Sequence, residues 1–325
     1  MKVMPIEKKG ITTSRLILGC MGFGGSWDNT PYTKEDVLNT EKAIDVALSN
    51  GITMFDHADI YRKGKAEKVF GEILQSRPEL RENIVLQSKC GIRFADGKNP
   101  GRYDLSKDHI LNSVDGILDR LNTDYLDILL LHRPDPLMEP EEIAEAFELL
   151  RTSGKVRHFG VSNMNASQIK ILNAYCSEPM VINQLNMSLK EKDWIEEGVL
   201  VNQKEGIDVN FPEGMIEYCR LTNIQLQAWA PLANGIYSGR SLDNPSESEL
   251  ATIKLVEKLA LEKDTSKEAI VLAWLMRHPA MIQPVIGTTN PERITKCQDA
   301  IRQAELMTRE EWYSLYVASR GNKLP

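Results

Sequence analysis

The chain has 325 residues, of which 42% are hydrophobic and 26% charged, and its formal net charge is −7. That composition fits a globular protein with a large core, and the negative balance without a Lys/Arg-rich stripe argues against a nucleic-acid or anionic-membrane surface. No apolar signal segment opens the chain and no stretch reaches the ~18 apolar residues of a membrane span, so a cytoplasmic protein that handles small molecules is expected.

In chain order, the segment before residue 16 carries Lys9-Gly10 at a turn and reads as a short β-hairpin. Eight strand-like apolar runs follow, at 16–18, 52–55, 84–87, 126–131, 156–161, 181–185, 224–228 and 284–286. Segments of helical period lie between them at 34–49, 66–75, 107–121, 141–152, 167–175, 213–221, 249–263 with 265–277, and 291–304. A further helix is predicted at 308–319. Thr33 with Asp36, Thr265 with Glu268 and Thr308 with Glu311 mark helix starts, and Asn290-Pro291 puts Pro at a first helical position.

Strict strand and helix alternation implies a parallel sheet. Short runs such as 181–185 are dominated by apolar residues rather than alternating, as in strands covered on both faces. An open doubly wound sheet normally carries a Gly-rich phosphate turn leading into a helix after its first strand, and Gly19-Cys20-Met21-Gly22-Phe23-Gly24-Gly25 has no helix directly behind it. The expected fold is therefore a (β/α)8 TIM barrel with an N-terminal β-hairpin plugging its bottom and extra C-terminal helices. No linker-like or low-complexity tract interrupts it, so one domain over 1–325 is expected. Cys20, Cys90, Cys176, Cys219 and Cys297 are scattered without a C-x-x-C pair, which fits reduced thiols, and oxidation of Cys20 or Cys90 would fall near strand ends.

Read in order, the strand ends carry Gly19, Asp56, Lys89, His132, Ser162-Asn163, Gln184, Trp229 and Gly287-Thr288. In a barrel these form one ring at the carboxyl-terminal face, where such folds assemble their sites. Within Phe55-Asp56-His57-Ala58-Asp59-Ile60-Tyr61, the phenol lies just past the carboxylate, and the neighbouring strand brings Lys89 beside both. A nearby ammonium lowers a phenol from its reference value of about 10, toward the range useful for donating a proton. Asp56 either orients Lys89 or is simply its buried ion-pair partner. His132 offers a ring N–H to position a substrate oxygen. His57, Asp59, His132 and Asp135 are metal-ligand types, but H-x-H and H-E-x-x-H spacings are missing, so no metal is expected.

Asp56, Tyr61, Lys89 and His132 resemble the catalytic tetrad of the aldo-keto reductases. The likeness extends over essentially the whole chain. The segments Ser88-Lys89-Cys90-Gly91-Ile92 and Leu131-His132-Arg133-Pro134-Asp135-Pro136-Leu137 resemble a bacterial branch of that family. The resemblance implies reversible hydride transfer between NADPH and an aldehyde or ketone, with NADH a less favoured cofactor and Tyr61 as acid/base. It implies that Trp229 stacks on the nicotinamide, that Ser162, Asn163 and Gln184 bind the carboxamide, and that Gly287, Thr288, Thr289 and Arg293 hold the adenosine phosphate. Gly19, Cys20, Met21, Asp56, Ala230, Leu232 and Ile286 complete the cofactor set it implies. Gly287 stands where many relatives carry Lys, a departure that bears on the phosphate.

Phe23, Trp27, Tyr61 and His132 are the expected substrate contacts, and a monomer or weak homo-oligomer is expected. A low-turnover NADP(H) sensor on the same fold is the alternative, because fold alone does not fix function.

Overall fold

The computed structural model describes residues 3–325. Its strands are β1 (Ile17–Gly19), β2 (Met54–Asp56), β3 (Val85–Cys90), β4 (Ile92–Arg93), β5 (Arg102–Tyr103), β6 (Leu126–Leu131), β7 (Val156–Ser162), β8 (Ile182–Asn186), β9 (Gln225–Trp229) and β10 (Gln283–Ile286). Eight of them close a barrel in the order β1-β10-β9-β8-β7-β6-β3-β2, with every neighbouring pair parallel. Helices of 7 to 16 residues cross over between them, from Lys34–Ser49 to Lys267–Met276, and Pro291–Gln298 follows β10.

The period-2 alternation of a strand sorts its side chains into two cores. Leu18, Phe55, Leu86, Leu129, Leu131 and Leu226 face outward and pack under the helices. Ile17, Met54, Ile128, Leu130, Ile182 and Val285 face inward and form a separate interior cluster. Gly160 makes room there, because a Cβ at that position would lie 2.7 Å from Leu130 Cδ2 and 2.9 Å from the Ile182 carbonyl oxygen.

The expected amino-terminal hairpin is not what closes the barrel floor. Met1 and Lys2 lie outside the described residues, and among the described residues no strand precedes β1. A single helical turn, Pro5–Lys8, takes that place. Pro5 has no N–H for a strand ladder and a φ suited to a first helical residue, and the Glu7 carboxylate accepts from the Met4 N–H at 3.3 Å. Met4 and Ile6 are buried against the interior cluster and plug the floor.

Other differences are local. The helix expected over 291–304 breaks into Pro291–Gln298 and Ala300–Leu306, with the carboxylate of Asp299 between them engaged by Thr265, Arg302 and Gln303. That contact takes Thr265 away from the expected cap, and Ser266 caps the helix Lys267–Met276 instead. Two segments outside the expected strands and helices hold structure: β4 pairs with β5, and Asp193–Val199 is a short helix. Glu196 of that helix accepts from Tyr316 and Arg320 of the carboxyl-terminal helix Arg309–Arg320, at 2.9 Å each.

Candidate active site

Asp56 ends β2 and pairs in register with Gln87, so Lys89 stands two residues further along β3, at the mouth. Lys89 is 1% exposed. Its Nζ donates to both oxygens of Asp56 at 2.8 and 2.7 Å, to the His57 carbonyl at 2.8 Å and to the Tyr61 hydroxyl at 3.0 Å. The His132 N–H bonds the Cys90 carbonyl, continuing the β3 to β6 pairing past the strand end and bringing the His132 ring edge-on to Tyr61 at 6.2 Å.

These contacts set the charges. Burial works to lower Lys89, but Asp56 and then Tyr61 raise it above its ordinary value, so the ammonium form is held. For Tyr61, burial pushes the phenol up, Lys89 pulls it down and Asp56 pushes it up again. The expected downward pull of Lys89 is present, but burial outweighs it and the net direction is upward. His132 is pushed down to about 2 by burial and then by the charge of Lys89, which leaves a neutral ring with one N–H donor.

Tyr61 begins a turn, Tyr61–Gly64, in which Arg62, Lys63 and Gly64 all take left-handed backbone angles, with φ of 51°, 58° and 84°. Left-handed backbone costs a non-glycine residue roughly 1–2 kcal/mol, so outside contacts must hold it. Arg62 Nε donates to the Met21 carbonyl at 3.1 Å, Lys63 Nζ to Asn29 Oδ1 at 2.9 Å, and the Arg62 guanidinium lies 5.3 Å from the Trp27 ring centroid. Trp27, 41% exposed, is thereby fixed beside the Tyr61 turn.

Around the rest of the mouth, Trp229 Nε1 donates to Asn163 Oδ1 at 3.1 Å, Asn163 Nδ2 to Ser162 Oγ at 2.7 Å, and Ser162 Oγ to the Gln184 carbonyl at 2.9 Å. Ala230 turns the chain just past β9 with a φ of 51°, and Leu232 follows half-buried. The turn after Gly19 meets the segment after β10. A Cβ at Gly22 would come within 2.7 Å of Thr289 Cγ2, whereas one at Gly287 would meet nothing within 4 Å. Asn290 caps the following helix by accepting from the Arg293 N–H at 3.1 Å, and the Arg293 side chain is exposed.

Some expected positions are corrected. Phe23 is 2% exposed and stacks on Phe70, so it belongs to the core and not to a substrate wall. Cys20 and Ile286 are fully buried, main chain included, so neither presents surface to a ligand. Burial raises the Cys20 and Cys90 thiols well above their ordinary value, the opposite of a reactive cysteine. His57 is buried, pushed down to about 3 by burial and then by Lys89, and meets Phe70 edge-on. Asp59 is pushed up to about 7 by burial and then by Glu67.

Sequence reasoning passed over Gln87 and Gln227, and it assigned Gln184 to the mouth alone. Gln87 and Gln184 both donate to Asp56 Oδ1, and Gln227 accepts from both. The signal was available: Gln87, Gln184, Gln227 and Gln283 are polar residues set inside otherwise apolar strands. Asn186, also passed over, pairs in register with Trp229, and its buried Oδ1 has no partner among the described residues.

The profile of the Aldo/keto reductase family matches residues 15–314. The chain belongs to that family. The bacterial branch its motifs resemble is typified by oxidoreductase YdhF of Escherichia coli, 34% identical, the match covering 98% of each chain. The 6-dehydroglucose reductase of Agrobacterium fabrum is also 34% identical, over 96% of each chain. Among solved structures, the thermostable aldo-keto reductase Tm1743 in complex with the inhibitor epalrestat aligns with a TM-score of 0.72 and 25% identity, covering 94% of each chain. This chain is thus an aldo/keto reductase family oxidoreductase on a closed parallel barrel, of a family that binds nicotinamide cofactors. The residues present fit such a cofactor: an indole held at a strand end, the unpartnered Asn186 oxygen beside it, open space at Gly287 and a helix start with an exposed Arg for phosphate.

Proposed function

We propose that the protein reduces aldehyde or ketone carbonyls to alcohols with NADPH. The observation that carries this reading is Lys89 Nζ, held by Asp56 and lying 3.0 Å from the Tyr61 hydroxyl at the barrel mouth. A bound NADPH supplies the hydride that the carbonyl carbon gains. Tyr61 gives its proton to the carbonyl oxygen, Lys89 stabilises the phenolate left behind, and solvent returns the proton. Lys89 keeps its own proton throughout because Asp56 and Tyr61 hold the ammonium form. The neutral His132 donates a ring N–H to the same carbonyl oxygen and orients it.

Trp229 offers the stacking face, and Ser162, Asn163 and Gln184 meet the carboxamide. Gly19, Met21 and the 287–289 segment line the path toward Arg293. A guanidinium suits a 2′-phosphate, which supports NADPH over NADH, although Gly287 adds no charge of its own. Trp27 is the substrate wall in this reading. The name of the Agrobacterium relative supports 6-dehydroglucose as the first carbonyl to try.

Loss of NADPH absorbance is followed with 6-dehydroglucose, aromatic aldehydes and dicarbonyls, while quenching of tryptophan fluorescence reports cofactor binding. Tyr61→Phe should bind NADPH as before and lose about 10²–10⁴ in turnover. Near-normal turnover in that variant defeats the role of Tyr61. Tight NADPH binding by the unaltered protein with no turnover on any carbonyl replaces the reductase with a sensor.

A further inference from the structure

Asp56 is held from below as well as by Lys89. Gln87 Nε2 donates to Asp56 Oδ1 at 2.5 Å and Gln184 Nε2 donates to it at 3.2 Å, and each also donates to Gln227 Oε1 at 3.0 Å. Gln227 Nε2 donates onward to Gln283 Oε1 at 3.2 Å, and Gln283 Nε2 to the Ser14 carbonyl at 2.6 Å. Four buried amides from β3, β8, β9 and β10 thus form one connected layer across the barrel.

The direction of that layer is fixed at both ends. An ionised carboxylate and a backbone carbonyl only accept, so Gln87 and Gln184 turn their N–H groups to Asp56, and Gln283 turns its own to Ser14. Gln87 makes this arrangement at a loss, since its Oε1 is buried with no partner among the described residues. Turning that amide over would set its oxygen against the Asp56 carboxylate. The donors to Asp56 are what the layer preserves.

We propose that this glutamine layer positions the proton donor: by sharing the charge of Asp56, Gln87 and Gln184 leave the Lys89 ammonium free to act on Tyr61. The inference rests on Tyr61 being the proton donor of the proposed reaction. Lys89 donates to the Asp56 carboxylate, the His57 carbonyl and the Tyr61 hydroxyl, and a stronger grip by Asp56 weakens its field at Tyr61. Without the amide donors, Asp56 draws Lys89 closer and its own negative field reaches the phenol less compensated, so Tyr61 ionises less readily. The titratable groups facing Tyr61 are Lys89, Asp56, Cys20 and His132, and of these the layer bonds only Asp56.

The test titrates Tyr61 in ligand-free protein labelled with 3-fluorotyrosine, by fluorine NMR, with the resonance assigned by its loss in Tyr61→Phe. Gln87→Met keeps the length and removes the donor, and should move that titration up by about one pH unit. Gln184→Met should move it the same way, and carries the test if Gln87→Met does not fold. Gln225→Met is the control. Gln225 is a buried amide on β9 whose Nε2 donates to the Leu226 and Met281 carbonyls, so its loss should leave the titration in place.

In turnover, Gln87→Met should lower kcat about tenfold and shift its pH profile, with KM for NADPH within about twofold. A titration unmoved in the folded Gln87 and Gln184 variants overturns the inference, as does an equal shift in Gln225→Met. If the unaltered protein reduces no carbonyl, the proposed reaction fails instead, and the fluorine titration still decides whether the layer acts on Tyr61.

Discussion

The floor and the mouth of the barrel are built by the same strands, yet they bury their side chains on opposite terms. β2 places Met54 in the floor and Asp56 at the mouth, and the side of β3 that carries Val85 continues through Gln87 to Lys89. In the floor, Met4, Ile6, Ile17, Ile128, Leu130 and Ile182 leave water with no polar side-chain atom that needs a donor, each worth roughly 1.5–3 kcal/mol. At the mouth, Lys89 and Asp56 are 1% and 2% exposed, and removing such a pair from water costs several kcal/mol per ion before their attraction offsets it. Stability and chemistry are thus separated along the barrel axis by a few residues of strand, with the amide layer as the transition between them.

Stranding one charge tests that separation most severely. Lys89→Met leaves Asp56 unpaired and should lose about 3–5 kcal/mol in urea denaturation, along with turnover. The double variant Asp56→Leu/Lys89→Met should regain most of that stability and none of the activity. A double variant as unstable as the single one means that the mouth does not hold its charges against stability. Ile128→Ala, in the floor, should lose about 2–5 kcal/mol while kcat stays unchanged. A matching drop in kcat would show the two ends to be coupled.

Acid sharpens the contrast further. Burial first, then nearby cations, pushes His57 down to about 3, His132 to about 2 and His278 to about 4. Unfolded histidines take up protons near their ordinary value of 6.5, while these folded ones do not. Their stabilisation is therefore fully present above that pH and drains as the pH falls toward the folded values. Each contributes a slope of about 1.4 kcal/mol per pH unit in that window. His57→Phe should remove one such slope, and an unchanged acid profile in urea titrations at several pH values argues against a buried neutral ring. The smallest effect belongs to the Tyr61 turn. Lys63→Gly removes left-handed strain but also the bond to Asn29, so its thermal midpoint should correspond to a net change within about 1 kcal/mol.

Much of this architecture is legible in the sequence because it rests on local period. Apolar runs separated by helical segments give the barrel, and the polar residue that ends each run gives the ring that the structure brings together at Asp56, Tyr61, Lys89 and His132. What the sequence hides depends on distant partners. Phe23 reads as an exposed aromatic in a Gly-rich turn, and only the arrival of Phe70 makes it core. The plug reads as a hairpin from Lys9-Gly10, although Pro5 already favoured a helical start. Gln87 and Gln227 look like unremarkable polar residues in strands until barrel closure points them at Asp56 and at each other. The helix Asp193–Val199 depends on Trp194 and on Glu196 meeting the far end of the chain.

The plug also bears on the order in which this chain is able to fold during synthesis. Met4 and Ile6 are made before every barrel strand, and their floor partner Val285 after nearly all of them. Met4 and Ile6 therefore lack a complete floor until β10 has been made. Contacts that join such distant parts of a chain slow folding, so the closing of the floor is expected to lag behind the pairing of neighbouring strands.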